Sequence, residues 1–185
     1  MGIQAGLMLI MPLSPEAAFI GFLRPNSDRT SGSWTGVGTG SGLYGRIDET
    51  SPDDATTYIK SKTIVTKCAS TDNDLCAVEL TGPSPAPNGV EETVVRVRHR
   101  RVTTGSIGTN DLRIRLMEST TERDSWTVYP GTSWATENRT LTQAVKDSIS
   151  NWSQVHLEFR YTACMNNDFE ITRADITWAE VEFSA

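Results

Sequence analysis

The sequence predicts an all-β chain, an antiparallel β-sandwich of jelly-roll type carrying one short helix near residues 142–150. Three observations lead there. Thr (24) and Ser (17) outnumber Ala (13) and Leu (11), and β-branched and turn-forming residues disfavour a helix bundle. From Thr57 onward, apolar residues recur with period two in short runs separated by turn residues, the pattern of strands with one buried face. The connections are long and rich in Gly and Pro, as in two packed antiparallel sheets; parallel βαβ strands would be continuously apolar. With 185 residues the chain is long enough to bury one core and too short for a large multi-domain enzyme.

Taken in order, residues 1–21 are apolar and nearly uncharged, with Pro12 and Pro15 opposing a regular helix. They predict an arm that packs either on a partner or on its own domain, ahead of a single sandwich domain over residues 22–185. The longest apolar run, residues 5–13, is too short to cross a bilayer, which needs about 20 residues. The first basic residue is Arg24, so the charged start of a secretory signal is missing too. Residues 30–45 form a Gly-rich loop. Its end, Gly40-Ser41-Gly42-Leu43-Tyr44-Gly45, has the G-x-G-x-x-G spacing, but no apolar strand precedes it and Ser51-Pro52 soon interrupts the chain beyond it, so a chance match is the better reading.

Strands are read next at Cys76, Val78 and Leu80; at Val95 and Val97, alternating with Arg96, Arg98 and Arg100; and at Leu112, Ile114 and Leu116, alternating with Arg113 and Arg115. Others are read at Trp126 and Val128, over residues 134–141, at Val155, Leu157, Phe159 and Tyr161, and over residues 171–183. Thr142 can cap a helix over residues 143–149, with Val145 and Ile149 on one face at i, i+4.

Charge and chemistry narrow the functions. A formal charge of −6 creates no global positive field for nucleic acid or anionic membrane. Cys68, Cys76 and Cys164 lie outside any CxxC pair and come with only His99 and His156. Neither a zinc site nor a disulfide framework is indicated, and free thiols are expected; Cys68 and Cys76 could meet across a hairpin only if geometry allows. No G-x-S-x-G occurs. His99 falls on an apolar face, as a satisfied core or edge histidine rather than a catalytic one, and His156 on a polar one. The acidic pairs Asp48/Glu49, Asp53/Asp54, Asp72/Asp74 and Asp168/Glu170 are the candidates for a structural calcium ion or for glycoside hydrolysis, although none has EF-hand spacing. No cofactor is expected.

The arginines are the one concentrated positive region. If the strands bearing Arg96, Arg98, Arg100, Arg113 and Arg115 pair, the five guanidinium groups form a stripe on one face, with Arg101 adjoining. That stripe either pairs with Glu158, Glu180 or Glu182 or docks an acidic protein partner; without interleaved aromatics it does not suit nucleic acid. The candidate partner-binding residues are therefore Leu7, Leu9, Ile10 and Phe19 of the arm, with Arg96, Arg98, Arg113 and Arg115. Tryptophans 34, 126, 134 and 152, if aligned on one sheet face, would instead stack on a glycan.

Several segments, in this order, resemble one family. They are Arg24-Pro25-Asn26-Ser27-Asp28, Trp34, Leu43-Tyr44-Gly45-Arg46-Ile47-Asp48-Glu49, Asp53-Asp54, Tyr58-Ile59, Thr93-Val94-Val95-Arg96-Val97-Arg98, Thr132-Ser133-Trp134-Ala135-Thr136, Leu141-Thr142, Leu157-Glu158-Phe159-Arg160 and Thr177-Trp178-Ala179-Glu180-Val181-Glu182. Over about residues 22–183 the chain resembles small sandwich domains of tailed-phage structural genes. The resemblance implies a non-enzymatic virion protein, assembled in the host cytoplasm and bound to the major capsid protein or another virion protein. The leading expectation is a capsid decoration or cement protein stabilising the head surface as a homo-oligomer, with a trimer the form the resemblance implies. The alternative is a tail-associated, receptor-binding carbohydrate module. The family supplies no catalytic residues, and residues 1–21 and the Cys68 to Cys76 loop depart from its pattern.

Overall fold

The computed structural model describes residues 21–54, 56–65, 72–82, 87, 92–166 and 171–184. Within them eleven strands run in chain order: β1 (Gly21–Leu23), β2 (Pro25–Thr30), β3 (Thr35–Val37), β4 (Tyr58–Lys60), β5 (Asp72–Leu80), β6 (Glu92–Thr103), β7 (Ile107–Glu118), β8 (Thr121–Val128), β9 (Ala135–Thr140), β10 (Val155–Met165) and β11 (Thr172–Ser184). They form two antiparallel sheets. One has the order β3-β4-β11-β6-β9, with β1 also on β11; the other has the order β2-β5-β10-β7-β8. This is the predicted antiparallel sandwich. The apolar residues Leu7, Leu9, Ile10 and Phe19 lie outside the described residues.

The alternation predicted from sequence builds the core. Cys76, Val78 and Leu80 of β5, Leu112, Ile114 and Leu116 of β7, and Leu157, Phe159 and Tyr161 of β10 meet Val95 and Val97 of β6 and Val181 and Phe183 of β11 in one buried cluster. Each such side chain contributes about 1.5–3 kcal/mol by leaving water. One polar network crosses this core. The Tyr161 hydroxyl donates to Asn110 Oδ1 at 2.8 Å and lies 2.8 Å from Thr172 Oγ1, while the Asn110 amide donates to the Pro130 carbonyl at 2.9 Å. Burial pushes the Tyr161 phenol up to about 12.

A bulge gives β11 its special role. The register with β6 shifts between Ile176 and Trp178, leaving Thr177 as an extra residue. Ahead of the bulge Ala174 and Ile176 join the core; beyond it Ala179, Val181 and Phe183 do. On the side of β11 away from β6, β4 pairs with residues 175–176 and β1 with residues 181–183. Between them lies the segment after the Gly-rich loop: the Ala179 amide donates to the Ile47 carbonyl at 3.1 Å, the Trp178 indole to the Glu49 carbonyl at 2.9 Å and the Thr177 hydroxyl to the Thr57 carbonyl at 2.8 Å.

The short strands β1 to β4 carry no clear alternation. β2 opens on Pro25 at a sheet edge, where a missing N–H costs nothing. The Gly-rich loop is ordered by Asp28, whose carboxylate accepts the Leu43 amide at 2.8 Å and the Tyr44 amide at 2.8 Å. Gly32, at φ 54°, is required: a Cβ there would lie 2.0 Å from the Leu75 carbonyl oxygen. The predicted helix is α1 (Gln143–Ser148), capped by the Thr142 hydroxyl, which accepts the Val145 amide. No helix among the described residues is long and apolar enough to cross a membrane.

The cysteines correct the expectation of free thiols. Cys164 is disulfide-bonded. Cys76 is free, because its alternation with Val78 and Leu80 points it into the core, so no Cys68–Cys76 bridge forms. Burial raises the Cys76 thiol well above its usual value.

Candidate functional site

The arginine stripe requires β6 and β7 to pair, and they do not. Residues 104–106 carry the chain from one sheet to the other. Arg96, Arg98 and Arg100 therefore lie on the outer face of the six-stranded sheet, and Arg113 and Arg115 on the outer face of the five-stranded sheet. Period-two alternation places side chains on a face but does not choose the neighbouring strand.

On each face the arginines form ion pairs, with Glu158, Glu180 and Glu182 as expected and with Asp54, Asp175 and Glu122, which were not. Arg96 Nη1 lies 3.2 Å from Glu180 Oε1 and also pairs with Glu182, while Arg24 Nη2 holds the other Glu180 oxygen at 2.9 Å. Arg98 grips both oxygens of Asp54, with Nη2–Oδ2 at 2.5 Å; that bond holds the Asp54 carboxyl below and the Arg98 guanidinium above their usual values. Arg100 Nη2 and Arg173 Nε bracket Asp175 at 3.0 and 2.9 Å. On the other face Arg115 bridges Glu158 at 2.5 Å and Glu122 at 2.6 Å, and Arg113 reaches Glu122 at 3.0 Å.

The tryptophans do not share a face. Trp34 is buried in the core, while Trp126 and Trp152 pack against it, the latter edge-on to Phe183 at 5.0 Å. Of these four, Trp134 stands on the outer face of the six-stranded sheet, where Trp178 of β11 also lies, bonded to the Glu49 carbonyl. The Trp134 ring meets Tyr58 edge-on at 6.2 Å and stacks on the Arg100 guanidinium at 4.5 Å. Sequence reading named Trp134 but missed Tyr58 and Arg100 as its neighbours, because three separate segments bring them together.

Among the paired acids, Glu49, Asp53, Asp54 and Asp74 make contacts within the fold. The hydroxyl of Thr57 faces both Glu49 and Asp53, and one hydroxyl proton satisfies only one of them. Burial first, then the Asp53 and Asp48 charges, raise the Glu49 carboxyl. Asp74 accepts the amides of Ser33 at 3.0 Å and Lys62 at 2.7 Å. Asp168 and Glu170 fall outside the described residues. Among the described residues no group of three or more His, Cys, Asp and Glu could hold a metal ion.

Both histidines are buried. His99 is not the satisfied core or edge histidine expected, for neither ring nitrogen has a hydrogen-bond partner among the described residues. Burial, aided by the Arg98 charge, lowers its pKa to about 4. His156 lies on the outer side of β10, as its alternation predicts, yet it too is buried and its pKa is lowered by burial.

No family model and no curated protein matches the chain. Among solved structures it is similar to the carbohydrate-binding module TmCBM61 in complex with beta-1,4-galactotriose, at TM-score 0.44 and 8% identity over 85% of this chain and 89% of that one. It is also similar to the Stig cyclase Fisc from Fischerella sp. TAU, at TM-score 0.44 and 11% identity over 95% and 80% of the two chains. A further structure, of a cyclase from Fischerella sp. TAU in complex with 4-(1H-Indol-3-yl)butan-2-one, gives TM-score 0.43 and 12% identity over 89% and 73% of the two chains. Likenesses this distant carry no argument about what the chain binds or does.

Proposed function

We propose that the chain is a non-enzymatic structural protein of a tailed-phage virion, a decoration protein that stabilises the head surface by contact with the major capsid protein. The observation that supports this reading is the use of charge on the outer faces. Eight arginines (Arg24, Arg29, Arg96, Arg98, Arg100, Arg113, Arg115 and Arg173) pair with carboxylates of the same chain. Such cross-strand tiling stiffens both sheets and suits a part that must hold its shape on a particle. Attachment then falls to the apolar arm of residues 1–21, whose Leu7, Leu9, Ile10 and Phe19 offer burial against a capsid subunit.

Quantitative mass spectrometry of purified virions tests this. Copy numbers in proportion to the major capsid protein are expected; tail-scale copies or absence from the particle would overturn it. The second reading, a tail-associated glycan-binding module, is favoured by the Trp134, Tyr58 and Arg100 patch, because an aromatic face beside hydrogen-bond donors suits a sugar ring. Loss of glycan-array binding in Trp134→Ala would favour it.

A further inference from the structure

At the β2 edge of the five-stranded sheet, four elements converge on a cavity of about 410 Å³, within the range of about 300–1,000 Å³ typical of small-molecule sites. β2 supplies Asn26, Ser27 and Arg29; β5 supplies Glu79; the turn after β7 supplies Ser119; and the 3-10 turn ahead of β10 supplies Gln154.

The local backbone explains why these side chains gather. The β2–β5 register shifts twice in six residues, between Pro25 and Ser27 and between Asp28 and Thr30. The residues skipped are Asn26 and Arg29, and such irregularities re-aim side chains away from regular pairing. Ser119 adopts φ 54°, a left-handed conformation that costs a non-glycine residue free energy. Its hydroxyl meets Gln154 Oε1 at 2.8 Å.

The cavity is polar without net charge. Arg29 Nη1 donates to Glu79 Oε1 at 2.6 Å and Nη2 to the Ser119 carbonyl at 3.2 Å. An anion would face Glu79 and a cation would face Arg29. Meanwhile the Asn26 amide and the Ser27 hydroxyl make no hydrogen bond among the described residues, and the Gln154 amino group is unspent beside its engaged carbonyl. Donors and acceptors thus alternate around a rim that has no aromatic wall. Adjacent hydroxyls, each able to give and accept one bond, complement such a rim; planar ring systems that need stacking do not.

We propose that this cavity binds a neutral sugar residue end-on, with Asn26, Ser27, Gln154 and the Arg29–Glu79 pair hydrogen-bonding its hydroxyls. The site is separate from the Trp134 patch and does not depend on where in a virion the chain resides.

The test is NMR titration of the full chain with methyl glycosides of glucose, galactose, mannose and N-acetylglucosamine, and with glucuronate as the charged arm, each to about 50 mM, enough to populate a site of millimolar Kd. At least one neutral glycoside should shift the side-chain amide resonances of Asn26 and Gln154. The double variant Asn26→Ala/Gln154→Ala, with unchanged spectral dispersion as the check on folding, should weaken that binding about tenfold or more, as expected for two lost hydrogen bonds. Trp134→Ala should leave it intact. The proposal is overturned if no neutral glycoside shifts those amides, if only glucuronate binds, or if Trp134→Ala abolishes binding while the double variant retains it.

Discussion

The two outer faces carry the same residue types at the same spacing and hold them differently. On the six-stranded sheet the Asp175 side chain is 0% exposed and that of Glu180 3% exposed beneath their arginines. On the five-stranded sheet Arg113 is 46% and Glu122 33% exposed. On the first face Glu49, Asp53 and Asp54 contact Trp178, Thr177 and Arg98 beside the β11 bulge; on the second, Arg113 and Glu122 meet solvent. An ion pair gains little where water screens it, whereas a buried carboxylate becomes a liability when its partner is removed. Identical alternation in sequence therefore encodes unequal energies.

The largest effect should come from stripping Asp175. Arg100→Ala/Arg173→Ala leaves a fully buried carboxylate without its cations and should cost about 3–5 kcal/mol in urea denaturation. If the loss is under about 1 kcal/mol, the contrast between the faces fails.

Next comes pH. His99 lies on the inner side of the same sheet, with a folded pKa of about 4 against the usual 6.5. The unfolded chain takes the proton more readily, so stability is complete above about pH 6.5, falls as the pH drops toward 4 and levels off below it. The full span is on the order of 3 kcal/mol. His99→Leu should flatten that limb of the stability–pH curve, measured as the difference from the parent chain.

Tyr161→Phe strands Asn110 Oδ1 in the core shared by both sheets and should cost about 1–3 kcal/mol without changing the fold. The smallest effect belongs to the open face: Glu122→Gln should cost about 0–1 kcal/mol, and that cost should shrink further in high salt, read by thermal unfolding.

Much of the sandwich was legible because burial on one face imposes period two. β5, β6, β7, β8 and β10 each announce themselves by it, and Thr142 marks the helix start. β1 to β4 were not, since short edge strands such as Pro25–Thr30 have no buried stripe to repeat. Sheet membership was hidden as well. Val95 and Leu112 look alike in sequence, yet the chain between them crosses the sandwich, so the expected arginine stripe became two half-sets on opposite faces. The cavity was invisible for a related reason: Asn26 and Gln154 are ordinary polar residues, and only an irregular edge brings them together.

The extra residue at Thr177 sets the reading frame of the last strand. Upstream the even positions Ala174 and Ile176 face the core, and downstream the odd positions Ala179, Val181 and Phe183 do. Loss of that single residue would turn the tail of β11 inside out, presenting Glu180 and Glu182 to the core and Val181 and Phe183 to water. Thr177 thus works as a phase marker. Exchanging its side chain would cost the hydrogen bond to the Thr57 carbonyl; deleting the residue would cost the register of the whole tail.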